Sequence, residues 1–253
     1  MNRETGKQTL VSLMVDEVSI RKHVEFSQGK FHGYVDEGTG DSDDGSPLAK
    51  NSMVVMAVCL NEGWKIPIGY FLIDGMTGEE RANVIEESLI RLYNAGVTVV
   101  SLTCDGPTPN VAMLRSLGVH VDPGSSDPSF PHPADPSSRV FVFLDVCHML
   151  NLLRGAFTSV LMKTSDGRLI NWDFVKALNN LQEKEGLRLA NKLKTSHILW
   201  KNQKMNMKLA AQVFSLGVAN AIEYCDRVLK LPQFQGSEAT VEFIRHVDAF
   251  FDV

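Results

Sequence analysis

LVSLMVDEVSIRK, residues 10–22, decides how the rest of the chain is read. Leu10 to Val15 is a short apolar run of β-branched and aliphatic residues. Such a run reads as a strand buried on both faces. It stops at two acids, Asp16 and Glu17. Asp16 is thereby placed at a strand end, on the rim of a sheet, where open α/β folds keep their sites. One acid taken alone more often marks a strand's exit into solvent. What Asp16 means depends on what other strands deliver to the same rim.

The chain around this stretch has 253 residues, enough for one large domain or two ordinary ones. It is 44% hydrophobic and 22% charged, with a net charge of −5. That composition supports a sizeable core and excludes a chain dominated by basic nucleic-acid contacts, while leaving room for a local basic face. No apolar stretch reaches membrane-spanning length, so no membrane partner is expected. The lead MNRETGKQTL lacks the apolar core of a signal peptide. Cys59, Cys104, Cys147 and Cys225 are far apart and form no CxxC pair, which argues against a zinc ribbon or disulfide framework and for a reducing compartment.

Beyond Lys22, residues 23–34 (HVEFSQGKFHGY) read as a second strand broken near Gly29. Residues 36–47 (DEGTGDSDDGSP) are rich in Gly, Ser and Asp and read as an exposed loop. The acids there lack the spacing and terminal Glu of a calcium loop. Met53 to Leu60 predicts a central strand, and Lys65 to Ile73 another, with Pro67 placing it near an edge or bulge. These first four strands are expected to be largely antiparallel.

The period then changes. Thr77 and Glu80 have capping-box spacing. Val84, Ile85, Leu89, Leu92 and Tyr93 follow at helical intervals, and Gly96 stops the helix. Val97 to Thr103 is a buried-strand pattern that also ends in an acid, Asp105. Asn110 to Leu117 reads as a short amphipathic helix. Residues 122–138 contain five prolines and read as a long surface loop without regular structure. Val140 to Leu144 is one more apolar strand, ending in Asp145 within DVCHML. From His148 the pattern is almost wholly helical: residues 149–162, 171–181, 187–193, 204–229 and 240–251. The composition shift near residue 150 marks the domain boundary.

Three apolar strands thus each end in Asp: Asp16, Asp105 and Asp145. Carboxylates brought together repel one another unless a hard divalent cation neutralises them, a task suited to Mg²⁺ or Mn²⁺. Two such ions can activate a water or hydroxyl and stabilise the leaving oxygen in phosphodiester cleavage. An antiparallel meander followed by helix, strand, helix, strand is the ribonuclease-H-like order. Its first acid lies on the first strand and its second at the end of the fourth, the places of Asp16 and Asp105.

VSLMVDEVSIR (11–21), LTCDGPTPN (102–110), FLDVCHMLNLLRGAF (143–157) and KMNMKLAAQVFS (204–215) together resemble the P-element transposase family and its THAP-domain-bearing relatives. The resemblance runs through nearly the whole chain, with the motifs in the family's order. It implies an α/β, ribonuclease-H-like mixed sheet over residues 1–148, then a mostly helical, GTP-binding-type insertion over 149–253. It makes Asp16 and Asp105 catalytic metal ligands. It matches Asp145 and His148 to an acid-x-x-His motif, with Asp145 a further metal ligand and His148 positioning substrate or the site. A histidine satisfied at the start of a helix is the equal alternative for His148.

Lys192, Lys208, Phe251 and Asp252 fall where the family's motifs place nucleotide contacts: lysines on phosphates, Phe251 stacked on the base, Asp252 accepting from guanine. No GxxxxGK[ST] loop is present, and these residues alone would not point to GTP. The family's third acid lies beyond the insertion, and its zinc-coordinating THAP domain precedes the core. The resemblance therefore implies a fragment or truncated descendant of a nuclear cut-and-paste transposase, inactive in strand transfer by itself. Its partners would be transposon-end DNA, GTP and further copies of the chain. A non-catalytic nucleotide- or protein-binding module is the alternative reading. An unrelated α/β enzyme using the same rim fits the element order and DVCHML less well.

Overall fold

The computed structural model describes residues 8–27, 29–36, 38, 45–106, 108–120, 127–186, 189–190, 192–204 and 206–251. The chain divides into two compact units, Met1–Asp145 and Val146–Val253.

The first unit is built on strands β1 (Leu10–Ser19), β4 (Asn51–Cys59), β5 (Lys65–Ile73), β6 (Thr98–Cys104), β7 (Ser129–His132) and β8 (Asp135–Leu144). They form a sheet in the order β5-β4-β1-β6-β8-β7. β1, β4 and β5 pair antiparallel, β6 lies parallel to β1, and β8 lies parallel to β6. With the added edge strand β7 set aside, this is the ribonuclease-H-like order, a mixed sheet with helices. Helices α1 (Gly78–Asn94) and α2 (Thr108–Ser116) supply the crossovers.

The capping box forms as the spacing predicts: the Thr77 side chain accepts from Glu80 N–H, and the Glu80 carboxylate accepts from the Thr77 backbone. Gly96 takes a positive φ of 79° after the last turn. Ile85 and Leu89 of α1 and Met113 and Leu114 of α2 are fully buried with Leu13, Met53, Val55 and Leu102 of the sheet. That layer is the core of the first unit.

β1 departs from its expected form in two ways. Only its first part is buried on both faces; from Met14 (40% exposed) onward, buried and exposed residues alternate. The strand also continues three residues past Asp16, because its antiparallel pairing with β4 runs on through Asp16↔Val54 and Glu17↔Met53. Asp16 is therefore inside the strand rather than at its end. Pro67 sits at a register shift of the edge strand β5, as its missing N–H requires.

Two other expectations are corrected. Residues 23–34 do not add a strand to the main sheet; they fold into a separate hairpin of β2 (Glu25–Ser27) and β3 (Lys30–His32). The proline-rich stretch is not wholly irregular either. β7 lies within it and β8 begins there, Pro131 being tolerated because β7 is a sheet edge. Much of the acidic loop of residues 36–47 lies outside the described residues.

The second unit contains α3 (Val146–Ser159), a small hairpin of β9 (Met162–Lys163) and β10 (Leu169–Ile170), then α4 (Asp173–Glu185), α5 (Thr195–Ile198), α6 (Met207–Val213), α7 (Leu216–Arg227) and α8 (Glu238–Phe251). Two helix expectations change. Residues 204–229 form α6 and α7 rather than one helix, interrupted at Ser215, whose backbone is extended at φ −85°, ψ 150°. Of the helix expected over 187–193, the described Leu189 and Ala190 are not helical. Val175, Leu178, Phe214, Ala219, Ile222, Phe234 and Ile244 lie at the centre of this unit's own core.

Candidate functional site

Val15 pairs with Cys104 across β1 and β6, and Cys104 pairs with Leu144 across β6 and β8. The next residue of each strand is an acid: Asp16, Asp105 and Asp145. The parallel register thus sets all three on successive positions of one edge, and the Asp145 N–H donates to Cys104 O at 2.8 Å. Register does not by itself make a cluster. Among the described residues no three His, Cys, Asp or Glu side chains group closely enough to hold a metal ion.

The reason lies in alternation along β1. Asp16 is exposed, and its Oδ1 accepts the N–H of Glu17 at 2.8 Å. Glu17 points the other way, towards α1 and α2, on the same side as the buried Leu13 and Val15. Its carboxylate pairs with Arg81 and accepts from the Asn51 side chain. Arg81 is only 4% exposed; it also donates to Met76 O at 3.2 Å and to Asn110 Oδ1 at 3.1 Å. The Asn110 amide in turn donates to the Asp105 carboxylate. Glu17, Arg81, Asn110 and Asp105 form one continuous polar chain at the edge of the sheet.

This chain lines an open cleft of about 480 Å³, bounded also by Ser19, Asn51, Gly75, Met76 and Pro109. Burial, followed by the neighbouring Asp105 charge, pushes the Cys104 thiol up to about 12, so it stays protonated beneath the rim. Asp105 lines the cleft; Asp16 is not among its lining residues.

The sequence reading singled out Asp16 and Asp105 and missed Glu17, Arg81, Asn110 and Asn51. A signal for Arg81 existed: it continues the Ile85–Leu89 stripe of α1 at intervals of four, an unusual place for an unpaired charge. His148 falls on α3 in the second unit and is half-buried.

The residues aligned with nucleotide contacts all belong to the second unit. Lys192 is exposed in a turn, and Lys208 is exposed near the start of α6. Phe251 packs against the helical core and borders a cavity of about 110 Å³ with Leu150, Ala211, Phe214, Val247 and Asp248. That volume is below the several hundred Å³ of ordinary ligand pockets. Asp252 lies outside the described residues. Among the described residues, no hydrogen bond or ring contact joins Lys192, Lys208 and Phe251.

The sheet order defines the class: a ribonuclease-H-like core followed by a helical unit. Comparison with known proteins narrows it. Residues 1–118 match the TNP-like RNase H N-terminal domain family, and residues 147–253 match the TNP-like GTP-binding insertion domain family. The chain is 30% identical to the human DNA transposase THAP9 over 245 residues, covering 96% of this chain and 27% of that protein. It is 26% identical to the Drosophila melanogaster transposable element P transposase over 195 residues, covering 77% of this chain and 24% of that protein. The solved Drosophila P element transposase strand transfer complex superposes with a TM-score of 0.77 at 23% identity, over 96% of this chain and 50% of that one. The chain belongs to the P-element-type DNA transposase family. It spans about a quarter of the length of these two relatives.

Proposed function

We propose that the first unit is the metal-dependent DNA-processing core of a cut-and-paste transposase, with Asp16 and Asp105 as ligands of Mg²⁺ or Mn²⁺. The observation that carries this is the β1–β6 parallel register, which sets these two acids side by side beyond Val15 and Cys104. The donor set suits a hard cation, and two carboxylates leave positions for waters and substrate phosphate oxygens, as Mg²⁺ prefers. A bound ion would polarise a scissile phosphodiester and activate its attacking oxygen. Asn110 would hold the Asp105 carboxylate in orientation, and the buried Arg81 would hold Asn110. Asp145, which follows β8, would add a further ligand.

Among the described residues no three His, Cys, Asp or Glu side chains group to hold a metal ion, which supports strongly reduced strand transfer by these residues alone. DNA as substrate is supported by the names of the relatives, a DNA transposase and a transposase strand transfer complex; self-assembly on paired ends and a nuclear site of action belong to the same proposal. The test is calorimetric titration with Mn²⁺. The native chain is expected to bind, and an Asp16→Ala/Asp105→Ala variant to give no signal; identical isotherms would remove the metal site.

A second reading, a nucleotide-binding module in which the core is a relic, draws support from the match of residues 147–253 to a GTP-binding insertion family. Here Lys192, Lys208, Phe251 and Asp252 would contact GTP. At a GTP concentration tenfold above Kd, binding adds about 1.4 kcal/mol to stability. A rise in Tm with millimolar GTP, lost in Lys208→Ala, is the expected result; an unmoved Tm in the native chain would defeat this reading.

A further inference from the structure

The hairpin β2–β3 is the part of the first unit that its core does not explain. It pairs with no strand of the main sheet. Phe26 and Phe31 face each other across it with ring centroids 5.0 Å apart, yet they remain 63% and 43% exposed. Within residues 21–32, Arg21, Lys22 and Lys30, all exposed, stand against one acid, Glu25, with His23 and His32 also exposed. In a chain of net charge −5 this is a local excess of positive charge. A cross-strand aromatic pair helps a two-stranded hairpin to form, but that role does not call for these cations.

The hairpin's place matters as much as its composition. It follows β1, its first strand beginning at Glu25, eight residues beyond Glu17, and it precedes β4 in the chain. It is therefore tethered to the strand that carries Asp16. Its base is fixed: Gly33, at φ 111°, passes so close to the His23 carbonyl that a Cβ there would lie 1.9 Å from the oxygen. Gly33 O also accepts from Ala49 N–H at 2.9 Å.

We propose that this hairpin is a stacking platform for unpaired DNA, Phe26 and Phe31 taking bases while Arg21, Lys22 and Lys30 meet the backbone phosphates. Exposed aromatics interleaved with cations are the chemistry of single-strand binding, since every base offers a π-face. The inference rests on the DNA-processing reading and adds to it: the platform would hold a frayed strand beside the acid rim.

The test is fluorescence anisotropy of the 253-residue chain with a labelled 20-nucleotide single strand in EDTA, so that metal binding plays no part. Phe26→Ala/Phe31→Ala is expected to weaken binding at least about tenfold. Phe26→Tyr/Phe31→Tyr should restore it. Lys22→Gln/Lys30→Gln should lower the salt slope by roughly 1.4, at about 0.7 per phosphate contact. Unchanged Tm in each variant excludes loss of fold. If the native chain binds DNA and the alanine pair binds equally well, the platform is wrong while the DNA reading stands. If the native chain binds no DNA, both fall. A dimer in light scattering that the alanine pair abolishes, with DNA affinity unchanged, would assign the hairpin to self-association and overturn the proposal.

Discussion

At the scale of single residues, Asn110 joins carboxylates delivered by two different strands. Its amide serves Asp105 and its oxygen serves Arg81, which is buried and paired with Glu17. Replacing it leaves a buried guanidinium short of an acceptor, a loss of roughly 1–3 kcal/mol. Asn110→Ala is expected to lower stability by that amount in urea unfolding. It should also weaken Mn²⁺ binding about tenfold by calorimetry, the usual scale for a residue that orients a ligand. An unchanged Mn²⁺ affinity with lowered stability would limit Asn110 to a structural role.

His132 makes a different prediction. It is 3% exposed, lies beside the Tyr93 ring, and its Nε2 has no partner among the described residues. Burial holds its imidazole below the ordinary histidine pKa of 6.5, partly offset by Asp135. The folded state thus keeps the neutral ring. That contribution is complete above pH 6.5 and is lost as pH falls through the depressed folded value. The depressed carboxylates Asp127, Asp135, Glu223 and Glu242 lose theirs only at lower pH. Tm is therefore expected to fall between pH 7.5 and 5.5 in the native chain, and to fall less in His132→Phe; equal slopes would assign the loss elsewhere.

Among the elements, the α1–α2 pair sets the cleft. The two helices meet at Gly78, where a Cβ would stand 2.5 Å from the Ala112 Cβ and 2.8 Å from backbone atoms. Backbone cannot yield as a flexible side chain does, so Gly78→Ala must push α2 away from α1 and carry Asn110 with it. The expected loss is about 1–3 kcal/mol, the range of overpacked sites. Thr77→Ala, one residue earlier, removes only the cap and should cost about 1 kcal/mol. Chemical denaturation of both variants checks the order; a milder effect at Gly78 than at Thr77 would show that the helices separate freely.

For the whole molecule, the two units keep separate cores, one around Leu13, Ile85 and Leu102 and the other around Leu178, Ile222 and Phe234. Truncation in either core should cost about 2–5 kcal/mol. Ile85→Ala is expected to lower one calorimetric transition and Leu178→Ala another. A single transition moved equally by both would mean that the units unfold together.

How far the sequence carries depends on the range of the forces involved. β1, β4, β5, β6, α1 and the Thr77–Glu80 cap were legible because periodicity and capping act over a few residues. The order of those elements sufficed for the ribonuclease-H-like sheet, and the chain motifs sufficed for the family. The separate hairpin at Phe26–Phe31, the strand hidden among the prolines at Ser129–His132 and the break at Ser215 depend on what each segment packs against. The same holds at the rim. Asp16 and Glu17 are adjacent letters, and only pairing with β4 and β6 decides that one faces solvent while the other turns to Arg81. The sequence by itself determined which acids follow the apolar runs of the strands. Tertiary structure alone decided which of them join a network, because a β-strand sends neighbouring side chains to opposite faces and only the packed helices make those faces different.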